Sequence, residues 1–574
     1  MMRSLLLLLL VFFTNLSIAQ LQFDNVATAV GANFAYGDSM FGGGVSFVDF
    51  NGDGLDDLTF STDETQNIHF LQNNGGSFTK VTLIGINETS NRAKQVLWVD
   101  YDNDGDKDFF VTNLDGKNGL YQNDGNMVFT NVTTTSGLFT EDLTSYGVTF
   151  GDIDNDGDLD LFITNREGTI SQNRNYLYRN DNGLFIDITA TAGINTNIEL
   201  TFGASFFDYD NDGDQDLYII NDKIDPNYLY QNDGTGQFTD VSLTSAAGIN
   251  IDAMSCTIGD YNADGFADIY VSNTMEGNQL LKNNGGVTFT NVASDAGVEF
   301  ESFSWGATFL DADNDSNLDL YVSSSFDGSV ASFLSAAFYH NNGDDTFTIP
   351  NNIGFSDDER ESYSNAVGDF NNDGKPDIVV MNDTDDYFLW ENQTTTTNNW
   401  IKIKLEGVTS NKDGIGNRIE VFANGKSQYK FTVSGEGYLA QNSQYEFVGV
   451  GNATNIDYIK VTWNKTGIIE TINNIQPNQA ITIQEGNGVL STSNELIEDF
   501  KIYPNPSQTG VYQFANLSSE KYTIQIYTTA GKLVLSKTIR NNTDQLELNT
   551  FSKGIYIAKI ISKNGTSIKK LIHN

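Results

Sequence analysis

The chain has 574 residues, 76 of them acidic and 31 basic, which gives a net charge of −45. Hydrophobic residues make up 39% and aromatic residues 12%, enough for folded cores, so a disordered acidic chain is excluded. The body shows no basic cluster, which excludes nucleic acid as a partner, and the one cysteine, Cys256, excludes any disulfide within the chain.

Residues 1–20 read as a signal peptide. Arg3 is the charged start, Leu5 to Phe13 the apolar run, and Ser17-Ile18-Ala19 the small-residue cleavage signal. The run is too short for a membrane-spanning helix, and no later stretch reaches the roughly 18 apolar residues that one requires. The mature chain is therefore expected to begin near Gln20 or Leu21, to carry no transmembrane segment, and to be secreted or held at the cell surface.

Over residues 21–398 one acidic loop recurs seven times with the pattern D-x-[DN]-x-D-[GS]-x-x-D. Its odd positions are Asp49, Asn51, Asp53, Leu55 and Asp57; Asp100, Asp102, Asp104, Asp106 and Asp108; and Asp152, Asp154, Asp156, Asp158 and Asp160. They continue as Asp208, Asp210, Asp212, Asp214 and Asp216; Asp260, Asn262, Asp264, Phe266 and Asp268; Asp311, Asp313, Asp315, Asn317 and Asp319; and Asp369, Asn371, Asp373, Lys375 and Asp377. Side-chain oxygens at positions 1, 3, 5 and 9 and the carbonyl at position 7 can surround one hard cation. All-oxygen ligation of this kind suits Ca²⁺, so about seven structural Ca²⁺ ions are expected. Position 12, where an EF-hand has Glu, is always apolar here, from Phe60 to Val380, so each loop leads into a strand. Loop six departs from the pattern with Ser316 in place of Gly at position 6. Loops five and seven each have one carboxylate fewer, and one of loops five, six and seven is expected to lose its ion first.

The loops start 51 to 58 residues apart, and each sits in the same surroundings. An apolar stretch precedes it and a β-rich run follows. Then come a short strand ending in Asn and a turn, as in Leu229-Tyr230-Gln231-Asn232, and a Phe-x-x-Val segment, as in Phe238 to Val241. Four short strands per unit at this period predict propeller blades. The seventh unit lacks its fourth strand, while Phe23-Asp24-Asn25-Val26 precedes the first loop with no blade of its own. An unpaired edge would expose backbone donors and acceptors, so residues 22–27 are predicted to close the ring beside residues 386–391. These residues resemble the FG-GAP/VCBS-type repeats of integrin-like propellers over residues 23–392.

Residues 399–485 contain alternating runs that predict a small β-sandwich. Asn399 to Leu405, Gly414 to Ile419, Gly435-Glu436-Gly437-Tyr438-Leu439-Ala440-Gln441 and Val461-Thr462-Trp463 resemble the ASPIC/UnbV domain that follows such propellers in cartilage acidic protein-like proteins. A polar, Gly- and Ser-rich segment at 486–499 reads as a linker. Residues 500–574 carry Ile502-Tyr503-Pro504-Asn505-Pro506, Gly531-Lys532, Gly554-Ile555-Tyr556 and the tail Lys569-Lys570-Leu571-Ile572. They resemble the C-terminal sorting domain of type IX secretion, which implies a second β-sandwich, handling by that machinery and removal of the tail. The fold class expected for the whole chain is all-β: a seven-bladed β-propeller followed by two small β-sandwich domains.

Catalysis finds no constellation in the sequence. His69 and His340 precede turns in their repeats and His573 lies in the tail, so all three read as structural, and Cys256 reads as a packed thiol. No phosphate loop, zinc motif or nucleophile elbow is present. The expected function is a secreted calcium-binding module for a glycan or an extracellular protein, without enzymatic activity. The alternatives are a carbohydrate-active enzyme resembling polysaccharide lyases and a structural matrix spacer.

Overall fold

In each repeat the acidic loop turns the chain between two strands that are buried on both faces, whereas the fourth strand buries little beyond its Phe, as at Phe238 and Phe289. A sheet graded in this way packs its inner strands against neighbouring sheets and presents its outer edge to water. The computed structural model describes residues 20–492 and 501–573, apart from 38–39, 64–66, 87–91, 167–171, 224, 331, 356–357, 516–521, 529–531, 541–543 and 563–564. The signal segment up to residue 19 and the linker from residue 493 lie outside the described residues.

Seven antiparallel four-stranded arrangements follow in chain order. Blade one is Val45–Val48, Asp57–Phe60, His69–Asn73 and Phe78–Val81. Blade four is Thr201–Phe207, Asp216–Asn221, Tyr228–Asn232 and Phe238–Asp240, and the others repeat the plan. The first strands of consecutive blades touch in turn, and the first strand of blade seven, Ser362–Gly368, returns to that of blade one. The ring is therefore closed. Its seam is made by the N-terminus: Phe23–Asn25 pairs with the third strand of blade seven, with Phe23 opposite Asn392 and Asn25 opposite Trp390. The predicted closing strand is thus observed. Phe23 is fully buried, with its ring 4.8 Å from Phe355 and 5.5 Å from Phe338.

The ASPIC/UnbV-like segment forms two four-stranded sheets packed around Ile401, Ile403, Val421, Ile459, Val461 and Trp463. Gly488–Thr492, placed in the linker on sequence grounds, is a further strand of the first of these sheets, so the sandwich extends past residue 485. The sandwich and the propeller belong to one compact unit, and the chain divides only after Val489. The second unit is itself a sandwich of a three-stranded and a four-stranded sheet around Tyr512, Phe514, Ile524, Ile526 and Ile560.

One segment of the sandwich leaves it altogether. Ala440 and Gln441 pair in parallel with Val45 and Ser46 of blade one. The Gln441 side chain accepts from Trp98 N (2.8 Å) and donates to Trp98 O (2.7 Å) in blade two, and the Thr149 hydroxyl of blade three donates to Ser434 O. Gly437 N donates to Cys256 O of blade five (2.9 Å), and the Asn442 side chain accepts from Val367 N of blade seven (2.8 Å). Gly437 also lies against Gly203 of blade four and Ala307 of blade six. A segment that meets the first strands of all seven blades can lie only on the ring axis. Gly435 adopts φ 75°, and a Cβ there would come within 2.5 Å of both Leu97 and Val148, so the entry to the axis excludes any larger residue. At the far end Tyr438 packs among Phe202, Trp305 and Tyr363 and donates to Phe41 O at 2.7 Å.

If the N-terminal strand closes the ring, Phe23→Ala removes a buried aromatic from the seam. The expected loss is about 3–5 kcal/mol. It should appear as a lower unfolding midpoint of the mature protein in urea, followed by tryptophan fluorescence. An unchanged midpoint would show that the seam does not hold the ring.

Candidate metal centres

Each acidic loop joins the first strand of its blade to the second, so all seven lie on one face of the ring. The loop builds itself from its first carboxylate. In every copy the position-1 Asp accepts the backbone N–H groups of positions 5 and 6, at 2.8–3.1 Å. Position 7, from Leu55 to Lys375, donates its N–H to the position-5 carboxylate at 2.8–3.1 Å. Position 6 is left-handed throughout, with φ between 80° and 99°, and Ser316 takes the same conformation as its six Gly counterparts. Position 4 is left-handed as well, which accounts for its Gly52 and five Asn residues, whereas Ala263 takes the same conformation without that preference.

Position 9 opens the second strand and is the buried end of the site. Asp57, Asp108, Asp160, Asp216, Asp268 and Asp377 are fully buried, and Asp319 is 1% exposed. Each accepts the backbone N–H of the Asn that ends the third strand, namely Asn73, Asn123, Asn180, Asn232, Asn283, Asn341 and Asn392, at 2.7–2.9 Å. In six blades that Asn also spans the blade boundary. Its side-chain amide donates to the position-2 carbonyl of the preceding blade's loop, as from Asn232 to Ile153 O (2.7 Å) and from Asn283 to Tyr209 O (2.8 Å). Asn123 instead reaches Lys107 O and the Met127 sulfur.

The carboxylates of positions 1, 3 and 9 converge in loops two, three, four and six, with one oxygen of each within 4.8 Å of the others. Loops one, five and seven place Asn51, Asn262 and Asn371 at position 3; in loop one the Asn51 amide donates to Asp57 at 3.0 Å. The buried oxygens Asp102 Oδ1, Asp108 Oδ2, Asp154 Oδ1, Asp268 Oδ2 and Asp313 Oδ1 have no hydrogen-bond partner. Buried carboxylate oxygens left over inside an all-oxygen cluster are the donor set of a hard cation, so these residues fit a metal ion. Position 5 is the outer lip: Asp53, Asp104, Asp156, Asp212, Asp264 and Asp373 are exposed. Burial followed by the neighbouring carboxylates raises the position-1 Asp152 to about 7 and the position-9 Asp108 to about 9.

The sandwich covers this face and meets every loop. Lys402 Nζ lies 2.8 Å from Asp369 Oδ2 and 2.6 Å from Asn372 Oδ1 of loop seven. Arg418 donates to Gly265 O of loop five (2.8 Å), and Lys465 to Asn155 O of loop three (3.1 Å). In loop two Asp413 accepts from Asp100 N (2.9 Å) and pairs with Lys107. Ser316 Oγ of loop six donates to Gly449 O at 3.1 Å, Asn464 lies beside Gly213 of loop four, and the Lys404 charge acts on Asp49 of loop one.

Two of the expectations for single residues can be set against this geometry. Cys256 is buried, as a packed thiol should be. His340, read as structural, directs Nδ1 to Asp319 Oδ1 at 2.9 Å, inside the cluster of loop six. Its place one residue before Asn341, where blades two and four carry Gln122 and Gln231, was the available signal. The Asn staples were visible as a recurrence without a role.

The blade boundary offers a comparison between two chemically identical changes. Asn232→Ala strands Ile153 O and is expected to cost about 1–3 kcal/mol. Asn123→Ala breaks no tie between blades and is expected to cost less. Equal falls in the thermal midpoints of the two variants would contradict the staple.

The chain matches FG-GAP-like repeats over residues 49–111, 100–163, 208–271, 260–322 and 329–380, which take in all seven loops. Residues 407–490 match the ASPIC and UnbV family, and residues 501–574 match the secretion system C-terminal sorting domain. Cartilage acidic protein 1 of Xenopus tropicalis is 23% identical over 267 residues, covering 44% of this chain and 40% of that protein. The protein of the same name from Mus musculus is 23% identical over 270 residues, covering 43% and 39%. The chain thus aligns with about two fifths of the length of these relatives. Among solved structures, the BP39L lectin from Burkholderia pseudomallei is similar at 10% identity and a TM-score of 0.40, over 62% of this chain and 97% of that one. The sorting domain marks the protein for secretion or display at the cell surface through the type IX machinery. No described helix is long and apolar enough to cross a membrane. Seven acidic loops, a docked sandwich and a sorting tail thus identify the chain as an exported protein of FG-GAP-like repeats with an ASPIC and UnbV segment.

Proposed function

We propose that this exported protein is a calcium-stabilised binding or adhesion module that engages glycans or surface proteins outside the cell and performs no chemistry of its own. The observation that carries the reading is the set of buried, unpartnered carboxylate oxygens repeated around one face of the ring. Like charges at this spacing repel strongly in a poorly solvated site, and a divalent cation in each loop relieves that repulsion. The ring axis supports binding over catalysis, because the Ser434 to Asn442 segment occupies the place where a substrate would enter. A partner is then left with the outer surfaces of the blades.

Calcium should raise the melting temperature of the secreted protein relative to the same protein in EDTA. A single site at a hundredfold excess over its Kd contributes about 2.7 kcal/mol. Coincident melting curves would remove the calcium reading. The metal-free protein should also have a characteristic pH dependence. Burial above all raises Asp57 to about 8 and Asp108 to about 9, far above an unfolded carboxylate. Protonation therefore favours the folded form. The stability that it supplies is complete below about pH 4, falls progressively as pH rises above that, and is lost once pH has passed the folded values of about 8 and about 9. Calcium needs the deprotonated ligands, so the loaded protein should not share this decline. Parallel pH profiles with and without EDTA would contradict the assignment.

Binding itself is tested on a glycan array and against outer-surface protein extracts, in Ca²⁺ and in EDTA. The expected result is a defined set of ligands retained in Ca²⁺ and lost in EDTA. Turnover of a polysaccharide with release of unsaturated ends would overturn the non-enzymatic reading.

A further inference from the structure

Loop six is built from different chemistry than its six sisters. Its blade places His340 where blades two and four have Gln122 and Gln231, whose amides donate to the position-3 carboxylates Asp102 and Asp210 at 2.6 and 2.7 Å. In blade six an imidazole takes that place. His340 Nδ1 is 2.9 Å from Asp319 Oδ1, and one ligand atom each of Asp313, Asp315 and His340 lie within 4.8 Å of one another. Asp311, Asp313 and Asp319 form a second group of the same dimensions, so the two share Asp313.

The surroundings are drier than in the other loops. Asp311, Asp313 and Asp319 are 2%, 5% and 1% exposed, and the position-5 residue, exposed elsewhere, is half-buried here as Asp315. Asp313 Oδ1, buried and inside the cluster, has no hydrogen-bond partner. One imidazolium can offset only one of four carboxylates, so His340 acting as a counter-charge leaves the cluster strongly negative. Calcium takes oxygen ligands, whereas imidazole together with carboxylates suits divalent ions of the first transition row, whose affinity for nitrogen rises towards copper and zinc.

We propose that loop six is a mixed imidazole–carboxylate site for a first-row transition-metal dication such as Zn²⁺, held by His340 and Asp313, which is common to both groups, with Asp315 and Asp319, and is not a further copy of the calcium site. The proposal rests on the reading of the loops as cation sites and separates from it experimentally.

The full secreted protein is stripped with EDTA and reloaded with Zn²⁺ in a large excess of Ca²⁺. After gel filtration the retained metals are counted by elemental analysis. The wild type is expected to keep one equivalent of zinc. In His340→Gln, which restores the side chain of blades two and four, zinc affinity should fall by at least about tenfold while the calcium-dependent thermal shift persists. The reciprocal change Gln231→His should add an equivalent at loop four, which tests the geometry even where the first variant folds poorly. Cobalt provides an optical check, because its visible band should differ between the wild type and His340→Gln. Equal zinc retention by the wild type and His340→Gln would overturn the proposal, as would a wild type that retains none. Absence of any calcium shift together with a His340-dependent zinc equivalent would overturn only the calcium reading of the other loops.

Discussion

Seven aspartates that open the second strand of each blade carry the main constraint on this fold. A carboxylate with no exposure to water is tolerated only where its oxygens are matched by donors or by a cation. Here one oxygen takes the N–H of an asparagine from the third strand, and the rest of the loop curls back to present further oxygens from positions 1 and 3. The asparagine held in this way points its own amide across the blade boundary in six cases. Satisfying one buried charge therefore organises the loop, the end of the third strand and the contact with the preceding blade together. The acidic net charge, which looks like a solvated surface in the composition, is concentrated where the ring is assembled.

The docked sandwich answers the same electrostatics from outside. Lys402, Lys404, Arg418 and Lys465 are scattered through its sequence and form no basic cluster there, yet the fold brings each of them over a different acidic loop. Its own frame is anchored in a similar manner. Although burial opposes ionisation, the N–H groups of Ser410, Val408 and Thr409 hold the Glu485 carboxyl down to about 2 and tie the end of the domain to the loop that faces the propeller. The cap and the ring are thus joined through charge at the rim and through backbone pairing at the axis.

Much of the fold was legible because it repeats. Seven in-phase loops gave the blade count, and the mismatch between Phe23 to Val26 and the incomplete seventh unit gave the closing strand. What escaped the sequence was whatever occurs once. Gly435 to Gln441 has no periodicity and reads only as a family signature, although its glycines are required by the narrow axis. His340 is a single deviation in an otherwise regular column, and its meaning depends on a carboxylate 21 residues away. The extra strand at Gly488–Thr492 was hidden by a Gly- and Ser-rich composition that suits a linker equally well.

The axial segment also settles a matter of phase. A ring of seven similar blades offers seven rotational settings to any cap seated on it, and the repeats alone do not distinguish them. Ala440 and Gln441 pair with blade one, Gln441 holds blade two, Gly437 holds blade five, and Asn442 holds blade seven. These contacts index the ring as a key indexes a lock, so each blade has an address despite its near-identical neighbours. Blades that look interchangeable in sequence are consequently free to diverge in function one at a time, since the position of each relative to the cap is fixed.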